Sequence, residues 1–140
     1  MRFLSLLLAL LFLAACDTGD DGLSGSLRYA ISLDESSQEI ARGHITFDAA
    51  PREDEAISGE FDLDEVPTPG PVEPLTVTEG ELEGTYDGTT VQIRLLEPGS
   101  ADDGIQLTAD YDEDSFSGTW CRETIAGCTG GGTFTATRDD

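Results

Sequence analysis

The chain has 140 residues, with 29 acidic and 7 basic side chains and a formal charge of -22; every base is Arg, none is Lys, and there is one His. The length holds a single domain. The charge excludes a nucleic-acid partner, because a phosphate backbone releases its counterions only to Lys and Arg, and a chain without Lys has no Schiff base, P-loop or Ser-Lys dyad.

The N-terminus carries the sharpest signal. Arg2 gives a positive start, Phe3 to Leu13 is an apolar run of eleven residues broken only by Ser5, and polarity returns abruptly at Asp17. At about 1.5 Å per residue such a run reaches roughly 16 Å, short of a bilayer core of about 30 Å, so it reads as a secretion signal and not as a membrane span. The run ends in Leu13-Ala14-Ala15-Cys16. This tetrapeptide resembles the bacterial lipobox, which implies cleavage of residues 1–15 and diacylglycerol on the Cys16 sulfur. Such chains contribute about 0.8 kcal/mol per buried CH₂, so several of them make a lasting anchor. The resemblance thus implies a protein of the bacterial cell envelope held on a membrane. Residues 16–26 then form the lipidated Cys and an acidic, Gly-rich tether with too little apolar surface to fold. Which membrane carries it stays open. Asp after the lipidated Cys resembles inner-membrane retention in one bacterial group, and an acidic stretch there resembles surface export in another.

With Cys16 assigned to lipid, Cys121 and Cys128 remain. An oxidising, exported setting favours pairing them. The eight-residue loop they close is worth about 2.5 kcal/mol by loop entropy.

Residues 27–140 read as one β domain. Leu27, Tyr29, Ile31 and Leu33 alternate with polar residues. The stretch from Glu35 to Arg42 admits a short helix. Alternation resumes at Ile45 and Phe47, then at Ile57, Phe61 and Leu63. Pro67 to Pro74 holds four of the six prolines and reads as a stiff loop crossing one end. Leu82, Gly84 and Tyr86 lead into Asp87-Gly88, a hairpin signal, and on to Val91, Ile93 and Leu95. Ile105, Leu107, Ala109 and Tyr111 follow, then Phe116, Gly118 and Trp120, and last Phe134 and Ala136. That predicts about eight strands of roughly six to nine residues in an antiparallel meander. Three segments share the form apolar-x-Gly-x-aromatic: Ile57 to Phe61, Leu82 to Tyr86 and Phe116 to Trp120. Gly on an inward face permits the sharp coiling of a small closed barrel.

Closure removes sticky edges, so the fold expected is all-β, an up-and-down eight-stranded barrel; a β-sandwich is the alternative. The Gly-centred segments and the ending Gly131 to Arg138 are similar in style to the calycin group, which includes lipocalins and avidins, and to small lipocalin-like bacterial lipoproteins. The Gly-x-Trp of an early lipocalin strand is absent, and avidin's biotin contacts have no counterpart, so the likeness implies a barrel and no ligand.

An eight-stranded barrel is either filled or holds one small apolar ligand. Tyr29, Phe61, Tyr86, Tyr111, Phe116, Trp120 and Phe134 are the candidate lining residues. His44 faces outward if Ile45 and Phe47 face in, and no Gly-x-Ser-x-Gly elbow accompanies it. Asp62, Asp64 and Glu65, and likewise Glu79, Glu81 and Glu83, form a solvated outer face. Asp110-x-Asp112-x-Asp114 starts like a calcium loop, but Ser115 and Cys121 stand where Gly and Glu are required. The sequence therefore gives no catalytic residue, metal site or cofactor. It predicts a monomeric envelope lipoprotein that binds or docks, through a small apolar ligand or an envelope protein. The alternative is a structural, solvating protein with a filled barrel.

Overall fold

A computed structural model describes residues 26–75, 77–100 and 103–139. The signal run, Cys16 and all but the end of the tether lie outside the described residues. The chain forms eight strands: β1 (Leu27–Glu35), β2 (Gln38–Phe47), β3 (Ala56–Glu65), β4 (Glu79–Tyr86), β5 (Thr90–Leu96), β6 (Gly104–Asp110), β7 (Ser115–Thr124) and β8 (Gly127–Arg138). Each pairs antiparallel with the next and β8 pairs with β1, closing an up-and-down barrel in sequence order. The sandwich is thereby set aside.

Period-two alternation is the cause. In β3 every second residue from Ile57 to Leu63 is buried and every intervening one is exposed, so one face of each strand is driven inward. The glycines of the three similar segments sit on that inward face. A Cβ on Gly59, Gly84 or Gly118 would run into the carbonyl oxygen of Thr46, Gln92 or Thr108 on the adjoining strand. These strands coil tightly enough that only Gly fits.

The helix expected over residues 35–42 is absent. β1 continues to Glu35, Ser36 and Ser37 turn the chain with φ of 54° and 62°, and β2 starts at Gln38. Two consecutive left-handed residues make the twisted turn that a hairpin favours. The misleading signal is a bulge. Leu33 pairs with Ala41 and Asp34 with Glu39, so Ile40 is an extra residue in β2. Ile40 and Ala41 are consequently both buried, which breaks the alternation a strand normally shows. Strands run from 7 to 12 residues, and β8 begins well before Phe134 because its Gly-rich start is too small to show a pattern.

The barrel has two rims. The near rim, where β1 begins, carries loops 48–55, 87–89 and 111–114 and the end of β8. The far rim carries turn 36–37, the proline-rich strap 66–75 with residues 77 and 78, residues 97–100 and 103, and the tip of the β7–β8 hairpin. Asp87-Gly88 is the hairpin turn the sequence indicated. The amides of Thr90 and Thr89 donate to the Asp87 carboxylate and hold its pKa below the usual carboxylate value.

Candidate functional site

Five of the seven candidate lining residues, Tyr29, Phe61, Phe116, Trp120 and Phe134, are buried, while Tyr86 and Tyr111 are partly so. Most of them pack on one another. Tyr29 meets Phe116 edge-on at 5.1 Å, Tyr111 meets Phe116 at 5.4 Å and Tyr86 at 5.5 Å, and Phe134 meets Phe116 at 5.9 Å. Phe47 completes the group, 5.4 Å from Tyr29 and 6.1 Å from Phe116. Edge-on and tilted pairs at these separations are favourable beyond their buried area. The Tyr29 hydroxyl donates to the Glu113 carbonyl at 2.9 Å and shares a second 2.9 Å hydrogen bond with Tyr111. Burial pushes the pKa of both hydroxyls above the ordinary tyrosine value.

Phe61 and Trp120 lie outside this group. Trp120 belongs to the far rim, where its indole N–H donates to the Asp34 carbonyl at 3.0 Å. Arg122, the next inward position on β7, is 5% exposed. Its guanidinium lies over the indole, 5.0 Å from the ring centroid, and donates to Glu35 at 3.3 Å and to the Glu73 carbonyl of the strap at 2.6 Å. The Nε atom is buried with no partner. Sequence reasoning passed over Arg122, Leu75 and Val77. The signal for Arg122 was present, since it continues the inward series Phe116, Gly118, Trp120. Leu75 and Val77, at the end of the strap, turn in and join the core. Aromatic packing thus gathers in the near half of the barrel, and Trp120, Arg122 and the strap meet in the far half.

Several clefts open on the outside. The most apolar, about 320 Å³, is walled by Ile40, Val66, Pro67, Val72, Pro74 and Leu75, with Glu65, Glu73 and Thr68 completing it. Another of about 380 Å³ runs along the wall beside His44, Asp62 and Asp64. His44 faces out, as its neighbours indicated. Its Nδ1 lies 3.5 Å from Asp62 and its Nε2 lies 3.3 Å from Asp139. Both nitrogens face carboxylates, so neither is directed at a nucleophile.

Charge is distributed unevenly around the wall. Glu60 pairs across strands with Glu81, and Asp62 with Glu79, which places like charges side by side at a cost to stability. Three cross-strand pairs of the β7–β8 wall are uncharged by contrast: Ser115, Ser117 and Thr119 face Thr137, Thr135 and Thr133. Asp110, Asp112 and Asp114 fall at the β6–β7 turn, where the Asp114 amide donates to Asp112. Among the described residues no group of three or more His, Cys, Asp and Glu converges as a metal site. Cys121 and Cys128 lie at disulfide distance across the β7–β8 hairpin, with Cα atoms 5.6 Å apart.

Comparison with protein-family models, curated proteins and solved structures returned no match. The class is therefore set by geometry: an eight-stranded antiparallel barrel with an apolar core and an acidic outer wall.

Proposed function

We propose that the protein is a lipid-anchored bacterial envelope protein that works as an interaction module through the outer surface of a filled barrel. The observation that carries this reading is the ring-on-ring packing of Tyr29, Phe47, Phe116 and Phe134, which uses the candidate lining residues as core. The lipobox resemblance at Leu13 to Cys16 supports the anchor. So does cysteine parity, because the pairing of Cys121 with Cys128 leaves Cys16 as the remaining thiol. The charge of -22 keeps the surface hydrated and repels anionic lipid headgroups, so the domain stands off its membrane on the tether.

Two measurements test the reading. Cys16→Ser should move the protein from the membrane fraction to the soluble one. Titration with palmitate or an apolar naphthalene-sulfonate dye should leave Trp120 emission unchanged. A saturable shift would replace the reading with that of a carrier for a small apolar ligand.

A further inference from the structure

We propose that the cleft between the strap and the far rim docks a partner protein, through an exposed segment with one apolar anchor beside Arg or Lys. This rests on the reading of the barrel as a surface-acting interaction module and names the surface and the chemistry of the partner.

Three observations carry it. The first is composition: six of the nine residues walling the cleft are apolar, on a protein whose described outer wall is mostly acidic or hydroxyl-bearing. The second is rigidity. The strap contains Pro67, Pro69, Pro71 and Pro74, which fix φ before any partner arrives. Leu75 and Val77 root it in the core. The Leu75 amide donates to Glu65 at 2.7 Å, the Arg122 guanidinium donates to the Glu73 carbonyl at 2.6 Å, and the Val66 amide donates to the Ile40 carbonyl at 2.8 Å. A preformed cleft spares a partner the ordering cost of binding. The third is charge. Glu65 and Glu73 flank the apolar floor and both are exposed. They favour a cation next to the anchor and, with the net charge of -22, repel acidic segments and anionic lipid. The cleft also lies on the rim opposite the start of β1. That is the side a tethered barrel turns away from its membrane. Ile125, 88% exposed, stands at the hairpin tip on the same rim, another apolar contact on that side.

The test is amide chemical-shift mapping on the purified full-length protein with three capped tripeptides: Arg-Leu-Arg, Arg-Gly-Arg and Glu-Leu-Glu. Arg-Leu-Arg should shift Ile40, Val66, Val72 and Leu75 saturably, with a dissociation constant of about 1 mM for so small a ligand. The other two should not. Glu73→Gln keeps the backbone carbonyl that holds Arg122, so it should retain the fold and weaken binding about threefold. Equal shifts from Arg-Gly-Arg, or shifts centred on Glu60, Asp62, Glu79 and Glu81, would overturn the proposal in favour of bulk charge attraction. Equal shifts from Glu-Leu-Glu, or none from Arg-Leu-Arg, would also overturn it. A failure here with Cys16 still lipidated and the interior still closed to dye removes the docking cleft and leaves the anchored, filled barrel standing.

Discussion

Arg122 and Trp120 occupy consecutive inward positions on β7, and the guanidinium of one covers the indole of the other at 5.0 Å. The pair sits beneath the strap and ties it to the barrel through Glu73. A buried Arg held by a carboxylate, a carbonyl and a ring is costly to truncate, because Glu35 loses its partner and the strap its anchor. Arg122→Ala should lower stability by about 3 kcal/mol. It should also shift Trp120 emission to longer wavelength, as water reaches the ring. A loss below about 1 kcal/mol with unchanged emission, typical of a surface pair, would show that the pair does not close the far rim.

The glycine at position 118 is a second fixed point. A Cβ there meets the Thr108 carbonyl and Ala109, none of which can move without shifting β6. Gly118→Ala should cost about 2 kcal/mol by overpacking, measured as a lower urea midpoint. Gly99→Ala, at a loop position where a Cβ meets nothing within 4 Å, should cost about 1 kcal/mol from its left-handed backbone alone.

Much of this was legible in the sequence. Strand number, order and facing followed from alternation at residues such as Tyr29, Ile31 and Leu33, and the coiling glycines were visible as a shared spacing. The β1–β2 hairpin was not, because the extra residue Ile40 interrupts the period and Ser36-Ser37 lacks the usual turn residues. The mutual packing of the aromatic rings was also hidden. Whether seven aromatic residues enclose a space or occupy it depends on side-chain packing that no spacing encodes. The far-rim cleft was invisible for a similar reason: Ile40, Val66 and Leu75 come together only when the strap folds back.

Alkaline pH should loosen the near rim. Burial raises the folded pKa of Tyr29 and Tyr111 above the unfolded value, so the folded state prefers the neutral hydroxyls. Their contribution is complete below about pH 10, the unfolded tyrosine pKa, and is lost as pH rises beyond it. Thermal melts should show stability falling progressively above about pH 10. The double variant Tyr29→Phe, Tyr111→Phe should fall less steeply. Tyr29→Phe alone should cost about 1 kcal/mol at neutral pH for its lost hydrogen bonds. Wild-type stability that stays flat across the alkaline range would contradict the buried pair.

The acidic wall predicts a salt response. Glu60 opposite Glu81 and Asp62 opposite Glu79 repel across adjacent strands, and screening relieves exposed charges. Stability should rise between about 0.1 M and about 2 M NaCl, as the screening length drops to a few Å. Glu81→Gln should stabilise by about 0.5 kcal/mol at low salt. Glu83→Gln should not, because Glu83 accepts from Arg94 at 2.9 Å. No gain from Glu81→Gln and no response to salt would mean that the wall is already relaxed by solvent.

Anchor, disulfide and closed interior would all register in one mass. The protein should be extracted from bacterial membranes and measured intact under native, then denaturing conditions. The expected species begins at Cys16, carries diacylglycerol and a further acyl chain, is two hydrogens lighter than its reduced form, and releases no small molecule on denaturation. A chain that retains residues 1–15, or one that begins elsewhere without lipid, would contradict the anchor. A bound molecule lost on denaturation would contradict the filled barrel.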